Sequence, residues 1–186
     1  MARDPETGKE AAVTGFANEH IAVGLLMKRY QNVSLVDLPL STYDIIIVRR
    51  ALDGSEDILR AQVRTADKTL SFIGGQRGGI DRQYKSDVKK YRQSTQTADV
   101  VIGIHENEDG SYSLYFMPTC LIEAINQNSI SLQKIEYLRD NYQMLERCKD
   151  HAWVLSEAKS GHFEIIFSLL RVVCRPRDGE RENLSP

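Results

Sequence analysis

Four polar residues in the first third of the chain have the types and spacing that metal-assisted hydrolysis requires. Glu19 lies among apolar residues at helical spacing, and Asp44 directly precedes the apolar segment 45–48. Gln62 and Arg64 are two positions apart in an alternating segment, so their side chains share one face. Carboxylate and amide oxygens are ligands that suit Mg²⁺, and a cation beside the metal can stabilise a charged phosphoryl group. The pattern favours a phosphodiesterase site in which Asp44, Gln62 and, directly or through water, Glu19 hold Mg²⁺ or Mn²⁺. Arg64 would then lie beside the metal.

Each of these residues also has a simpler explanation. Glu19 could lie at the edge of an apolar helix face and reach solvent, and Asp44 could cap the end of a strand. Gln62 and Arg64 could form the polar outer face of an edge strand, which is common in antiparallel sheets. Residue types and spacing alone leave these alternatives open.

The elements that must position these residues are one helix and two strands. Apolar residues recur every three or four positions over residues 14–30, which predicts a helix. Residues 43–50 are rich in β-branched side chains, and residues 58–65 alternate between apolar and polar, so both predict strands. The other predicted elements are a short strand at 33–36, a flexible basic loop at 74–79, a polar helix at 81–97, strands at 100–104 and 112–117, and helices at 121–127 and 132–148.

These elements predict one α/β domain with no internal repeat. We expect a flexible leader over residues 1–12, a single domain over 13–174 and a flexible tail over 175–186. Within the domain, residues 14–118 would form the core and residues 119–174 a helical extension.

The middle of the chain is basic although the whole is slightly acidic. Residues 58–93 carry nine basic and three acidic side chains, a balance of +6, within a chain of net charge −2. Local phosphate binding would require such a segment, and a solvated lysine face would explain part of it equally well. The residues expected to contact DNA are Lys68, Gln76, Arg77, Arg82, Lys85 and Lys89.

Several protein classes do not fit the sequence. No apolar segment approaches the length of a membrane span, and the first ten residues are polar, which argues against a secretory signal. The cysteines, Cys120, Cys148 and Cys174, are widely spaced, odd in number and without a Cys-x-x-Cys pair. They favour a reducing compartment, so we expect a cytoplasmic protein.

The order of the candidate residues resembles that of the PD-(D/E)XK nuclease superfamily. Its members carry a helical glutamate, an aspartate on one strand, and an acid or glutamine two positions before a lysine on the next strand. The matching segments are Gly15-Phe16-Ala17-Asn18-Glu19, Tyr43-Asp44-Ile45-Ile46 and Ala61-Gln62-Val63-Arg64-Thr65. The resemblance covers about residues 14–118 and is nearest to the branch with glutamine. It implies a restriction-endonuclease-like α/β core: a mixed central sheet of about five strands flanked by helices, with a helical C-terminal extension.

Arg64 departs from this family pattern, which has lysine at the corresponding position. Arginine keeps the positive charge but is bulkier, planar and essentially never deprotonated, so it can stabilise charge but cannot act as a base. Lys68 would lie on the same face if the strand continued, and could then replace the lysine.

The resemblance implies a Mg²⁺-dependent endodeoxyribonuclease acting on DNA, expected to be double-stranded. We expect a type II restriction endonuclease that works as a homodimer or higher homo-oligomer on a short site, because two strands must be cut. The alternatives are a homing or DNA-repair or junction nuclease of the same fold, an inactive DNA-binding module, or an interaction protein with no nucleic-acid role. The candidate dimer face, which core packing would also explain, consists of Leu132, Ile135, Leu138, Tyr142 and Leu145.

Overall fold

The computed structural model describes residues 5–38, 41–50, 54–76 and 89–159. The strands are β1 (Asn32–Leu35), β2 (Ile45–Arg50), β3 (Glu56–Thr65), β4 (Thr69–Ser71), β5 (Ile73–Gln76), β6 (Lys89–Arg92), β7 (Val100–Glu106), β8 (Tyr112–Pro118) and β9 (Ser129–Ser131). The helices are α1 (Pro5–Met27), α2 (Thr119–Ile125), α3 (Tyr142–Glu146) and α4 (His151–Lys159), together with a 3₁₀ helix, Leu132–Leu138.

A five-stranded mixed sheet forms the centre of the molecule, in the order β1-β2-β3-β7-β8. β3 and β7 run parallel, and the other neighbouring strands are antiparallel. Two small antiparallel ribbons accompany it, β4 with β9 and β5 with β6. The expectation of a mixed α/β fold with a sheet of about five strands is confirmed.

Both faces of the central sheet are covered by apolar cores. On one face, Ala22 and Leu26 of α1 form a core with Leu59, Ala61 and Val63 of β3. The other face is covered by α2, α4 and the 3₁₀ helix, whose core includes side chains of β7 and β8. β7 lies between the two cores, which explains why residues 100–104 read as an uninterrupted apolar segment.

The first helix is longer at its N-terminal end than the sequence indicated. α1 begins at Pro5 instead of residue 14 and ends at Met27 instead of residue 30, so described residues expected in the leader are helical. Val13 and Phe16 in this first half are 69% and 63% exposed, whereas Ala22 and Leu26 are fully buried. Within the described ranges, no helix is both long and apolar enough to cross a membrane.

The single helix expected over residues 132–148 is wrong. The chain forms the 3₁₀ helix, leaves it through Asp140, which has a left-handed φ of 50°, and begins α3 at Tyr142. The expected dimer face is wrong as well: Leu132, Ile135, Leu138 and Leu145 are at most 7% exposed. Tyr142, the fifth member, is half-buried and its ring lies 5.0 Å from that of Phe116. These side chains belong to the two cores, which explains their periodicity.

The polar helix expected over residues 81–97 is wrong in its described part. Lys89–Arg92 form strand β6, and residues 95–97 form a turn, while residues 81–88 lie outside the described residues. The flexible loop expected over 74–79 is wrong where described, since Gly74, Gly75 and Gln76 belong to β5. The two segments pair as a ribbon, with Gly74 opposite Tyr91 and Gln76 opposite Lys89. Pairing with a second strand outweighs the local preference of this polar segment for a helix.

Candidate active site

Asp44 and Gln62 are in direct contact where β2 begins beside β3. The backbone N–H of Asp44 donates to the Ala61 carbonyl at 2.9 Å, so Asp44 extends the pairing of the two strands by one residue. One carboxylate oxygen, Oδ2, accepts the Val63 backbone N–H at 2.8 Å and also a hydrogen bond from Nε2 of Gln62. Asp44 therefore takes part in the sheet and is not only a strand-end cap.

The alternation of β3 separates the polar side chains from the core. Val63 is 4% exposed and belongs to the core beneath α1, whereas Gln62 and Arg64 point to the opposite face. Gln62 is also only 4% exposed, so β3 is not an edge strand with a solvated polar face. A buried amide needs hydrogen-bond partners, and Gln62 has them in Asp44, Gln93 and the Val63 carbonyl.

Glu19 lies on α1, near enough to Asp44 and Arg64 for its pKa to respond to their charges. The preceding residue, Asn18, is 8% exposed and donates from Nδ2 to the Thr65 hydroxyl at 2.8 Å, which ties the helix to the end of β3. Burial, reinforced by the negative charge of Asp44, raises the pKa of Glu19 to about 7, although the charges of Arg64 and His20 oppose the shift. Glu19 is half-buried and does not project freely into solvent.

The two carboxyl groups share an environment that disfavours their charged forms. The pKa of Asp44 is raised by burial, against the hydrogen bond from Val63 and the charge of Arg64. Because burial disfavours the charged form of both groups and the charge of Asp44 also acts on Glu19, a cation bound near them would favour their ionised forms. Among the described residues, no group of three His, Cys, Asp or Glu side chains could hold a metal ion. Glu19 and Asp44 supply two carboxylates, and their next polar neighbour is the amide of Gln62.

Arg64 is the cation of this cluster. Its charge acts on both Glu19 and Asp44, and its Nη1 donates to the Val63 carbonyl at 2.9 Å. Lys68 does not continue the strand face of Arg64, because β3 ends at Thr65 and residues 67–68 form a bend. Lys68 is exposed, so the expectation that it could take the place of the family's lysine on a continued strand is wrong.

Two residues that the sequence analysis did not assign to the site, Gln93 and Tyr91, belong to its surroundings. Gln93 has no exposed surface and donates from Nε2 to Oε1 of Gln62 at 3.1 Å. Tyr91 is half-buried, and its pKa is raised mainly by burial, lowered by the charge of Arg64 and raised by that of Asp44. The sequence indicated this only weakly, because both residues lie in the polar segment 81–97. That segment was expected to be a helix and has no apolar face that would point to buried residues.

The ribbon of β5 and β6 brings these residues to the site. A Cβ added at Gly74 would lie 2.4 Å from Cζ of Tyr91, so only glycine leaves room for that ring across the ribbon. Of the residues expected to contact DNA, Gln76 and Lys89 are paired on this ribbon, and Lys68 lies on the bend after β3. Arg77, Arg82 and Lys85 lie outside the described residues.

Comparisons with known proteins give one informative similarity. No protein-family model and no curated protein matches the chain. Among solved structures, the bacterial homing endonuclease I-Ssp6803I is similar, with a TM-score of 0.53 and 13% sequence identity. The similarity covers 80% of this chain and 96% of that chain. At this identity the comparison shows a shared fold, so the chain has an α/β fold similar to that of this homing endonuclease.

Proposed function

We propose that this chain is a metal-dependent DNA endonuclease that hydrolyses phosphodiester bonds at the site formed by Glu19, Asp44, Gln62 and Arg64. The observation that carries the proposal is that Asp44, fixed to β3 by the Val63 backbone N–H, lies where the charge of Arg64 acts on it and where both charges act on Glu19 of α1. The order of these residues is that of the PD-(D/E)XK superfamily in its glutamine-containing form, with arginine in place of lysine. The fold shared with a homing endonuclease supports this assignment.

The residues of the site fit Mg²⁺, with Mn²⁺ as a substitute. Glu19 and Asp44 offer hard oxygen ligands, and the described residues provide no hydrogen-bond donor to Oδ1 of Asp44. A bound divalent ion would supply Lewis-acid stabilisation of charge on the phosphoryl group. Two carboxylates would satisfy only part of an octahedral shell, and Mg²⁺ commonly fills such a shell with water and substrate phosphate.

Three residues of the site, Glu19, Asp44 and Arg64, have defined parts in this proposal. Glu19 and Asp44 hold the ion, Asp44 being fixed by the backbone of β3. Arg64 supplies fixed positive charge to a phosphoryl group that gains negative charge in the transition state. Because arginine is not deprotonated in proteins, the base that activates water is not Arg64.

The β5–β6 ribbon is the proposed contact to DNA. A two-stranded ribbon fits the major groove of B-DNA, and the ribbon carries Gln76, Lys89 and exposed Lys90 next to the proposed site. Lysines there would contact phosphates without reading sequence, whereas Gln76 and Arg77 would read base edges. Lys68, Arg82 and Lys85 would extend the basic surface.

The biological class of this endonuclease has two candidates. The residue pattern favours a type II restriction endonuclease acting as a homodimer, and the fold shared with a homing endonuclease favours a homing enzyme. Mapping the cut ends separates them. A single short palindromic site supports restriction, and any other cleavage pattern supports the homing or repair alternatives.

The proposal is tested by incubating plasmid DNA with the full chain and Mg²⁺, Mn²⁺ or EDTA. We expect nicking or linearisation only with a divalent ion, and its loss in Asp44→Asn. Asp37→Asn is the matched control, because Asp37 is exposed in the segment preceding β2. Cleavage in EDTA, or equal cleavage by Asp44→Asn and Asp37→Asn, would contradict the proposal.

A further inference from the structure

Two backbone carbonyls determine which way the glutamine amides of the site point. Nε2 of Gln93 lies 3.3 Å from the Thr42 carbonyl, and Nε2 of Gln62 lies 3.3 Å from the Val63 carbonyl. A carbonyl oxygen can only accept, so the amide atom facing it must be the nitrogen. The reversed orientations would place two acceptors in contact inside a buried site, which is costly.

The two amides then form a directional chain. The Thr97 hydroxyl donates to Oε1 of Gln93 at 2.6 Å, and Nε2 of Gln93 donates to Oε1 of Gln62 at 3.1 Å. The amide oxygen of Gln62 thereby faces Gln93, and its nitrogen faces Oδ2 of Asp44. This orientation differs from the expectation that the oxygen of Gln62 faces a metal ion.

We propose that Gln93 is a positioning residue that locks Gln62 as a hydrogen-bond donor to Asp44, so that Gln62 orients this carboxylate instead of ligating the metal. Oδ2 of Asp44 already accepts two hydrogen bonds, from Val63 and Gln62, which leaves Oδ1 for the metal. The ligands that the chain supplies are then Asp44 and Glu19. Gln93 is suited to this part because it is fully buried, contacts Gln62 and Thr97, and faces the Thr42 carbonyl, which fixes the direction of its amide.

This inference rests on the proposed function for its catalytic consequence, but the amide orientation can be measured without cleavage. In the ¹⁵N-labelled full chain, the side-chain amide signal of Gln62 is identified by its absence from Gln62→Leu. We expect one proton of this amide to be shifted strongly downfield and slow to exchange with solvent, and to remain so when the chain is saturated with Mg²⁺. Loss of that shift on adding Mg²⁺ would mean that the amide turns its oxygen to the metal, and would overturn the proposal.

Gln93→Met removes the hydrogen bonds of this side chain while keeping an unbranched side chain of similar length. We expect the Gln62 amide protons to exchange about tenfold faster and kcat to fall about tenfold, with DNA affinity unchanged, because oriented charge is lost at the reacting centre. The matched control is Gln96→Met, since Gln96 is exposed in the adjacent turn.

The outcomes of these measurements are distinct. A Gln93→Met protein with the amide signal and kcat of the wild type would overturn the proposal. If this variant does not fold, the Mg²⁺ titration of the wild-type chain still decides the orientation. Failure of the wild-type chain to cut DNA with any divalent ion would contradict the proposed function. The amide signal would still support or overturn the orientation of Gln62.

Discussion

Among the single residues of the proposed site, Arg64 is the one that departs from the superfamily pattern, which has lysine at this position. Its guanidinium is held by the Val63 carbonyl and acts on the charges of Glu19 and Asp44. A lysine at this position would carry a compact charge that could also lose its proton, whereas arginine contributes charge alone. For the proposed function, this difference bears on whether the site cleaves DNA or only binds it.

Replacing Arg64 separates these two cases. We expect Arg64→Ala to lower kcat by about 10²–10³, the usual effect of removing one group that stabilises transition-state charge, while DNA affinity largely persists. Arg64→Lys should retain or raise the activity, because it restores the family pattern. Single-turnover cleavage of a labelled duplex measures the rates of both variants. Equal rates for the wild type and Arg64→Ala would remove Arg64 from the mechanism, and activity confined to Arg64→Lys would identify the wild type as an inactive module.

We expect the half-buried carboxyl group of Glu19 to lower the free energy of unfolding of the metal-free chain when it is charged. Its pKa is raised to about 7 from 4.5, chiefly by burial and then by the charge of Asp44. The stability that its neutral form contributes is therefore fully present below about pH 4 and is lost as the pH rises through 7. At pH 8 the folded chain holds a charged carboxylate in an unfavourable place.

Glu19→Gln should therefore stabilise the metal-free chain while abolishing cleavage. In EDTA at pH 8 we expect its thermal midpoint to exceed that of the wild type by a few degrees, since about 1 kcal/mol corresponds to about 2–4 °C in a chain of this size. At pH 4 the difference should disappear, because both side chains are neutral. The control, Glu108→Gln, changes an exposed residue on the β7–β8 turn and should alter neither property. A midpoint at pH 8 that is lower in Glu19→Gln would contradict this account.

The ribbon of β5 and β6 is the element that completes the site. It places Tyr91 near Arg64 and Asp44 and leads directly into Gln93. Its geometry depends on the close approach of the Tyr91 ring to Gly74, where no Cβ fits without displacing the ring. The ribbon and strands β2 and β3 should therefore respond together to a change at this contact.

Gly74→Ala should destabilise the chain through Tyr91. Overpacking of this kind costs about 1–3 kcal/mol, less if the ring swings away, and moving the ring should also lower kcat. In a double-mutant cycle, Gly74→Ala should cost little when Tyr91→Ala is already present, because the clash is gone. The comparison is made by urea denaturation of the four proteins.

Gly24 provides the contrast to Gly74. A Cβ at Gly24 meets nothing within 4 Å, and the residue lies inside α1. Gly24→Ala should therefore stabilise the chain by about 1 kcal/mol through helix propensity. If Gly74→Ala proved as harmless in the wild-type background as in Tyr91→Ala, the close approach would not matter to stability.

Charge is distributed unevenly over the whole molecule. The basic excess of residues 58–93 includes the β5–β6 ribbon and the bend after β3, whereas the rest of the chain is net acidic. A local basic surface of this kind attracts a polyanion without making the entire protein bind it. It also predicts how binding should depend on salt.

DNA affinity should fall steeply with salt, because each neutralised phosphate releases counterion and contributes about −0.9 to the log–log slope. Replacing both Lys89 and Lys90 with alanine should flatten the slope by about 1–2 and weaken all sequences alike. The control pair is Lys28→Ala with Lys134→Ala, two exposed lysines outside the basic segment. Fluorescence anisotropy at several salt concentrations measures the slopes. Identical slopes in the two double variants would mean that Lys89 and Lys90 face solvent and do not contact phosphates.

Several features follow from the sequence alone because they depend on local periodicity. Residues 43–50 and 58–65 were expected to be strands, and β2 and β3 lie there, since alternation and β-branched side chains specify a pleated surface. Strand parity also placed Gln62 and Arg64 on one face and Val63 on the other. The grouping of Gln62 with Asp44 and Glu19 was predicted from this parity together with the order of residues that resembles the nuclease superfamily.

Other features were decided only by the tertiary structure, because they depend on residues far apart in the chain. Lys89–Arg92 are a strand because β5 offers a partner, and residues 132–148 form two short helices whose side chains contribute to both cores. The pKa of Glu19, a residue of α1, depends on the burial of its side chain and on the charge of Asp44. The orientation of Gln62 depends on Gln93, 31 positions away, and on the carbonyl of Thr42. Spacing in a sequence identifies which groups are present, but hydrogen-bond direction and desolvation arise only when distant elements pack against one another.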